Sequence, residues 1–170
     1  MTDSQKTFLI AVYQAAKHLE IDPIFTAAQA MLESGWGKSK IGKYNIFGVT
    51  KGSWTGKTIL VKTTEYFKNG DKVFKAPEKV IYKQRLAPSK WKYEVYRLFR
   101  DYDSLEQALA DHEAIFKKPM YADAWRYKDN ALMFARKITD AMGAKYATSP
   151  VYYNSLRKMI IQITPLCQNL

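Results

Sequence analysis

The order of hydrophobic patterns along the chain constrains the fold most, because helical spacing occupies both ends and strand-like segments lie between them. Apolar residues from Phe8 to Leu19 recur at spacings of one, three and four, which predicts a helix over about residues 4–19. β-branched and aromatic segments separated by turn residues predict an antiparallel sheet of two to four strands, built from 58–67, 79–82 and 93–99. The sequence therefore predicts a mainly helical α+β fold with one small sheet.

Capping residues predict where two further helices begin. Asp22 followed by Pro23 is typical of an N-cap and a first helical residue, so a second helix begins there and ends at Gly35. Ser104 and Gln107 have the spacing of a capping box ahead of a third helix.

The C-terminal part of the chain predicts two more helices. One covers about residues 129–142 and ends at Gly143, and the last begins at Ser149 and Pro150. Residues 43–58, by contrast, are rich in Gly, Trp and Asn. They predict an irregular surface loop of the kind that often carries binding groups.

The composition indicates a globular protein with an anionic partner. The chain has 170 residues, of which 47% are hydrophobic and 14% aromatic, so we expect one domain over residues 1–170 with a sizeable core. Its formal net charge is +11, spread along the chain. Nucleic acid, an anionic membrane surface and an anionic cell-wall polymer would each be attracted, and a basic surface that serves only solubility is the alternative.

Few residues are available for metal or thiol chemistry. The single cysteine, Cys167, excludes an intramolecular disulfide, and His18 and His112 form no cluster with metal-ligand spacing. His112 instead continues the apolar stripe of the third helix. We expect no metal and no cofactor. The N-terminus lacks the pattern of an export signal, and no apolar run approaches the ~20 residues that cross a bilayer.

One acidic residue, Glu33, stands at the end of the apolar second helix, just before Gly35, Trp36 and Gly37. A hydrophobic helix behind a carboxyl group desolvates it, which raises its pKa. A general acid needs a raised pKa in order to carry its proton at neutral pH. Glu33 is therefore the first catalytic candidate, and a solvated helix-terminal glutamate is the alternative.

Four blocks of the sequence, in order, carry a family resemblance: 26–50, 62–66, 99–104 and 146–152. Together they resemble the glucosaminidases of glycoside hydrolase family 73, a group that includes flagellar muramidase-like domains, autolysins and phage endolysins. The resemblance implies a lysozyme-like fold with a small β-lobe beside the cleft. It also implies cleavage of the β-1,4 bond after N-acetylglucosamine in peptidoglycan, with Glu33 as the general acid.

The same resemblance implies that Glu65 is a second catalytic carboxyl group, acting as a base. Two carboxyls about 6.5–9.5 Å apart leave room for a water and invert the sugar, whereas a separation of about 5–5.5 Å implies a nucleophile. The N-acetyl group of the substrate could also replace that nucleophile, so the stereochemical outcome is open. On the alternative interpretation Glu65 is a solvated strand residue among lysines.

Aromatic and amide residues of the matched regions are candidates for substrate contact. Tyr146 matches a family tyrosine near the cleaved bond and joins the catalytic set, with a core position as the alternative. Rings stack on the apolar faces of sugars, and an amide can bond an acetamido group, although several of these side chains must belong to the core. The candidate substrate-binding residues are Trp36, Tyr44, Asn45, Phe47, Gly48, Trp54 and Tyr121.

Two features depart from the family pattern. A Lys-rich insertion, about residues 68–97, follows Glu65, and Ser149 stands where Asp is common. Serine still caps a helix, so the second change is mild. The insertion leaves the distance between Glu33 and Glu65 open, and we hypothesise that it forms a basic arm that grips the anionic wall or outer membrane leaflet.

Three functions are compatible with the sequence. The first is a monomeric peptidoglycan N-acetylglucosaminidase acting at the bacterial wall. As a phage endolysin or virion-borne lysin it would gain access through a holin, injection or lysis; a trimmed domain of a longer autolysin would look the same. The second is a lytic transglycosylase, which shares the fold and the single glutamate. The third is a non-catalytic cationic module that binds the wall or nucleic acid; Glu33 and Glu65 argue against it, and we expect no nucleic-acid partner.

Overall fold

A computed structural model describes residues 1–140, 146–147, 151–168 and 170 of the chain. The helices within this part are α1 (Asp3–Ala16), α2 (Pro23–Glu33), α3 (Leu105–Phe116), a 3-10 helix (Pro119–Tyr121), α4 (Ala122–Trp125), α5 (Ala131–Asp140) and α6 (Tyr152–Cys167). The strands are β1 (Thr58–Phe67), β2 (Lys79–Ala87) and β3 (Lys90–Arg100). The predicted α+β class is confirmed. No helix in these residues combines the length and apolar character needed to cross a membrane.

The chain divides into two compact units. A helical unit comprises Met1–Lys40 and Asp103–Leu170, and a sheet unit comprises Ile41–Tyr102. The helical unit contains all the helices named above, and the sheet unit contains the three strands and the loop that precedes them.

Helix α2 is the buried centre of the helical unit. Asp22 caps it by accepting a hydrogen bond at 2.8 Å from the N–H two residues on, and Pro23 fills the first helical position, as predicted. The helix packs against α1, α5 and α6. Phe25 meets the rings of Phe116 and Phe134 edge to face, with centroids 5.8 and 4.7 Å away. Apolar contact on several sides holds α2, and the side chains it carries, in a fixed place.

The start of α3 differs in detail from the prediction. Ser104 caps the helix and accepts from the N–H of Gln107 at 3.2 Å, but the reciprocal half of the capping box is absent from this pair. The Gln107 side chain reaches one residue further back and accepts from the N–H of Asp103 at 2.8 Å. A complete capping box occurs at α1, between Thr2 and Gln5.

The C-terminal helices follow the predicted order. Helix α5 lies inside the predicted span 129–142, whereas the predicted end at Gly143 and the predicted start at Ser149 and Pro150 lie outside the described residues. The sequence pattern missed the 3-10 helix and α4. The 3-10 helix begins at Pro119, whose fixed φ suits a first helical position.

The sheet is antiparallel, with β3 in the centre and β1 and β2 at its edges. Thr58 of β1 lies opposite Arg100 of β3, and β2 and β3 are joined by a tight turn at Pro88 and Ser89. Buried side chains of β3 form the core of this unit, namely Tyr93, Val95 and Phe99. The predicted insertion 68–97 therefore contains all of β2 and most of β3, and β2 is exposed along nearly its whole length.

Candidate active site

Glu33 is the last residue of α2, and its carboxyl group lies in a desolvated environment. Burial raises the pKa of that carboxyl group above the ordinary value for glutamate. Hydrogen bonds from Tyr152, Tyr146 and Gln29 act in the opposite direction but do not cancel the effect of burial. A raised pKa is the direction that a general acid requires.

Two tyrosines flank Glu33. The hydroxyl of Tyr152, the first residue of α6, donates a hydrogen bond to Oε1 of Glu33 at 2.9 Å. The rings of Tyr146 and Tyr152 lie side by side, with centroids 5.6 Å apart. Burial and the nearby Glu33 carboxylate raise the pKa of both hydroxyl groups well above the usual range for tyrosine. Both tyrosines therefore stay protonated and can donate to Glu33.

A glutamine and a histidine stand behind the tyrosines. Nε2 of Gln29 donates to the hydroxyl oxygen of Tyr152 at 2.9 Å, and Oε1 of Gln29 lies 2.9 Å from Nε2 of His112. His112 Nε2 is also 3.4 Å from the hydroxyl of Tyr146. Gln29 is wholly buried and His112 is 3% exposed. Burial lowers the pKa of His112 to about 3, so its imidazole is neutral at physiological pH.

Glu65, the second predicted catalytic carboxylate, lies on β1 in the sheet unit. Its side chain is 26% exposed and forms an ion pair with Nη1 of Arg97 at 3.6 Å. Nε of the same arginine lies 3.5 Å from Glu78. Arg97 thus holds two carboxylates on the less exposed face of the sheet, and Glu65 keeps part of its surface open.

Asn45 holds the loop before the sheet in shape. Its Nδ2 donates to the carbonyl oxygens of Val49 and Arg100, both at 2.9 Å, and its Oδ1 accepts from the N–H of Val49 at 2.8 Å. The side chain is buried. Both amide hydrogens are used within the protein, so a direct bond to a sugar would have to use the remaining lone pair of Oδ1.

Other predicted substrate-binding residues of the sheet unit keep part of their surface exposed. Nε1 of Trp54 donates to the carbonyl oxygen of Lys57 at 2.9 Å, which fixes the plane of the indole. Tyr44 and Phe47 are half-buried. Gly48 is exposed and has a φ of 60°, a conformation that favours glycine.

The two remaining candidates belong to the helical unit. Trp36 is half-buried and has a φ of 62°, which is unusual for a bulky residue and arises in the glycine-flanked turn after α2. Tyr121 is only 5% exposed, and its ring contacts Phe116 at 5.5 Å between centroids. Trp36 is therefore the more accessible ring of the two. Among the residues described, no group of three or more His, Cys, Asp and Glu side chains could hold a metal ion.

Comparison with known proteins shows the family. The family model named Glucosaminidase, described as mannosyl-glycoprotein endo-beta-N-acetylglucosaminidase, matches residues 10–164. The chain belongs to this glycoside hydrolase family. The match spans both compact units and confirms the predicted family.

Relatives of this glucosaminidase-family chain include cell-wall enzymes. It is 33% identical to a "Probable N-acetylmuramidase" of Lactococcus lactis subsp. cremoris, over 95% of this chain and 34% of that protein. It is 34% identical to peptidoglycan hydrolase FlgJ of Escherichia coli K12, over 80% of this chain and 38% of FlgJ. The chain therefore spans about a third of the length of these curated relatives.

Solved structures confirm the fold of this family member. The truncated glycoside hydrolase domain of Salmonella typhimurium FlgJ matches with a TM-score of 0.68 and 29% identity, covering 95% of this chain and 98% of that domain. The catalytic domain of the autolysin Auto from Listeria monocytogenes matches with a TM-score of 0.67 and 25% identity, over 99% and 88% of the two chains. The predicted lysozyme-like α+β fold is confirmed.

The sequence pattern missed three residues around Glu33. Tyr152 lies in the same matched block as Tyr146, so the block itself carried a signal for it. Gln29 occupies a position inside an otherwise apolar helix, and a buried amide needs polar partners. His112 was indistinguishable from its apolar neighbours on α3, because periodicity alone reports burial and not chemistry.

Proposed function

We propose that this chain hydrolyses peptidoglycan, cleaving the β-1,4 bond after N-acetylglucosamine with Glu33 as the general acid. The observation that carries the proposal is the desolvated carboxyl group of Glu33, which has a raised pKa and is held by the Tyr152 hydroxyl at 2.9 Å. Family membership supports the class of bond, and the names of relatives such as peptidoglycan hydrolase FlgJ support the substrate.

In the proposed reaction Glu33 gives its proton to the glycosidic oxygen as that oxygen leaves. The sugar ring then carries developing positive charge, and Glu33 becomes a carboxylate. Hydrogen bonds from Tyr152 and Tyr146 stabilise that carboxylate at the moment it forms. The two tyrosines thus favour proton release, while burial favours proton retention before the reaction.

We propose that Glu65 is the second catalytic carboxylate, acting as a base toward water. Its ion pair with Arg97 supports this role, because the arginine limits the rotation of the carboxylate. Tyr44, Phe47 and Trp54 are proposed to contact sugar rings, with Trp36 on the helical unit. We also propose supporting roles for three further residues. Asn45 and Gly48 shape the loop before the sheet, and the ring of Tyr121 packs against Phe116.

A second candidate function is a muramidase, which would cut the neighbouring glycosidic bond. The name N-acetylmuramidase of the Lactococcus relatives favours it, whereas the description of the family model favours the glucosaminidase. Mass spectrometry of purified peptidoglycan after digestion separates the two. Reducing N-acetylglucosamine ends support the proposal, reducing N-acetylmuramic acid ends support the muramidase, and anhydro-muramyl ends would indicate a lytic transglycosylase. Intact glycan strands would indicate a binding module.

We also propose that the insertion 68–97 contacts the anionic bacterial wall. It carries nine Lys and Arg against three Asp and Glu, which is more than half of the net charge of +11. Lys79, Lys83 and Lys90 are exposed on the β2–β3 hairpin. A surface cavity of the sheet unit is lined by Lys51, Lys75 and Arg97 together with Glu78 and apolar neighbours. Clustered cations attract a polyanion at long range, and salt weakens that attraction.

The proposed setting is the bacterial cell wall, where residues 1–170 act as one monomeric catalytic domain. The span of the family model over both compact units supports the single domain. A phage-borne lysin is the role we propose, and a bacterial autolysin would use the same chemistry. Lysis of live cells by the purified chain added from outside tests whether it acts on the intact wall, which both roles require.

A further inference from the structure

The geometry points to a positioning role for Gln29 and His112. We infer that these two buried residues form a one-way hydrogen-bond chain that aims tyrosine protons at Glu33. The inference rests on the proposed function, because it concerns how the general acid is tuned. Gln29 hydrogen-bonds Glu33 directly as well as through Tyr152, whereas His112 acts on the carboxyl group through Gln29 and the tyrosines.

The direction of the chain follows from the donors available. Oε1 of Gln29 can only accept, so the proton between Gln29 and His112 must lie on Nε2 of the histidine. The buried imidazole is neutral and carries a single ring proton, which is therefore on Nε2. Gln29 then presents its NH₂ group to the oxygen of Tyr152. Since that oxygen already accepts, Tyr152 uses its own proton to donate to Glu33.

The opposite amide orientation of Gln29 breaks this arrangement. Its oxygen would face Tyr152 and accept the hydroxyl proton, which would leave Glu33 without that donor. The orientation is selected by His112, because an Nε2–H group repels an NH₂ group placed opposite it. His112 thus sets the direction in which the hydrogen bonds are donated. It does so from the far end of the series that runs from Glu33 through Tyr152 and Gln29.

Tyr146 is a second branch from the same histidine. Its hydroxyl oxygen lies 3.4 Å from Nε2 of His112, close enough to accept the longer half of a bifurcated hydrogen bond from that N–H group. The same hydroxyl group hydrogen-bonds Glu33. Tyr152 therefore accepts a hydrogen bond from Gln29, and Tyr146 accepts one from His112. Each tyrosine keeps its own proton to donate to Glu33. The ring of Tyr146 packs against Phe116, with centroids 5.3 Å apart, which holds the hydroxyl in place beside the histidine.

Apart from Glu33, the titratable groups of this network, within the described residues, do not change charge in the working range of pH. Tyr146 and Tyr152 have a raised pKa, and His112 is neutral above a pH of about 3. The alkaline limb of the kcat/KM profile then reports ionisation of the Glu33 carboxyl group. Donors to a carboxylate lower its pKa, so weakening the chain should move that limb to higher pH.

The test compares two substitutions of the same histidine. His112→Phe removes the Nε2–H group and should move the alkaline limb upward by about one pH unit, the scale of one lost charge-assisted hydrogen bond. His112→Gln keeps an N–H donor near the position of Nε2 and should restore the wild-type limb. Gln29→Met, which keeps the volume but removes the amide, breaks both the link to Tyr152 and the direct hydrogen bond to Glu33, so it should move the limb upward further than His112→Phe does.

A purely structural role predicts a different result. Ile163→Ala removes a buried side chain of α6 outside the network, and it should lower Tm without moving the limb. If His112→Phe behaves like Ile163→Ala, the inference is overturned, even where Gln29→Met moves the limb through its own bond to Glu33. Carbon-13 NMR titration of the Glu33 carboxyl group gives the same comparison without any activity, including for a variant that is folded but inactive.

The NMR titration also separates this inference from the proposed function. If Glu33→Gln retains activity, the general-acid assignment fails, while a shifted Glu33 titration in His112→Phe would still support the hydrogen-bond chain. If Glu33→Gln is inactive and the Glu33 titration is the same in wild type and His112→Phe, only the positioning role fails.

Discussion

The hydroxyl of Tyr152 lies 2.9 Å from Oε1 of Glu33, although the two residues are 119 positions apart. This contact ties the end of α2 to the start of α6. It gives the carboxyl group a fixed donor in a place where burial disfavours its charge. Stability and activity are therefore coupled at Glu33.

Glu33→Gln is expected to stabilise the fold at neutral pH. Because burial raises the pKa of Glu33 in the folded state, the stability linked to its proton is present at low pH and lost as the pH rises through the folded pKa. Glutamine has no charge to desolvate. Thermal unfolding from pH 4 to 8 should show a Tm advantage for the variant that grows with pH and disappears near pH 4. An advantage independent of pH would contradict the assigned desolvation.

His112 should make the folded protein sensitive to acid. The unfolded histidine binds a proton below its ordinary pKa of 6.5, whereas the folded one does so only near pH 3. Stability should therefore fall as the pH drops from about 6.5 toward 3, by up to about 1.4 kcal/mol per pH unit. His112→Gln should remove this part of the pH dependence in urea unfolding. His18→Gln, at an exposed position, is the matched control and should leave it intact.

Glu65 and Glu78 both pair with Arg97, so Glu78 provides a matched control for the catalytic role of Glu65. Glu65→Gln should lower kcat by about 10²–10⁴-fold if Glu65 acts as the base. Glu78→Gln loses an ion pair to the same arginine, at 3.5 Å, and should cost only a few-fold at most. Steady-state rates on purified peptidoglycan decide between them. Near-wild-type activity of Glu65→Gln would instead favour assistance by the substrate's N-acetyl group.

Charge reversal of the insertion tests its proposed contact with the wall. Four exposed lysines are changed to glutamate, namely Lys75, Lys79, Lys83 and Lys90. Co-sedimentation with purified walls should weaken, and its dependence on salt should flatten, while cleavage of short soluble glycans is unchanged. The control reverses the same number of exposed lysines on the helical unit: Lys6, Lys40, Lys118 and Lys158. Equal losses in the two variants would show that only total charge matters.

Local signals predicted most of the fold. Asp22 and Pro23 specify the start of α2 through a side-chain cap and a fixed φ, and neither effect depends on distant residues. The strands were predicted by β-branched and aromatic runs, and the structure extends two of them, β2 and β3, because their pairing with each other outweighs weak local propensity. The 3-10 helix at Pro119 was missed, since a three-residue element has no periodicity to detect.

The candidate site was only partly predictable. Glu33 stood out because an acidic residue ends an apolar helix, and Tyr146 because it lies in a family block. Gln29 and His112 meet across 83 positions, and no local pattern encodes which buried polar side chains will be partners. Asn45 was predicted for its amide, and the structure shows that amide engaged with the backbone of Val49 in the loop and of Arg100 at the end of β3.

The most direct test of the catalytic role of Glu33 is the rate at which Glu33→Gln releases reducing ends from purified peptidoglycan. Glu20→Gln, which changes an exposed glutamate paired with Lys117, is the control. We predict a loss of about 10²–10⁴-fold for Glu33→Gln, with Tm at or above that of wild type, and no more than a two-fold change for the control. A folded Glu33→Gln protein with turnover close to wild type would contradict the assignment of Glu33 as the general acid.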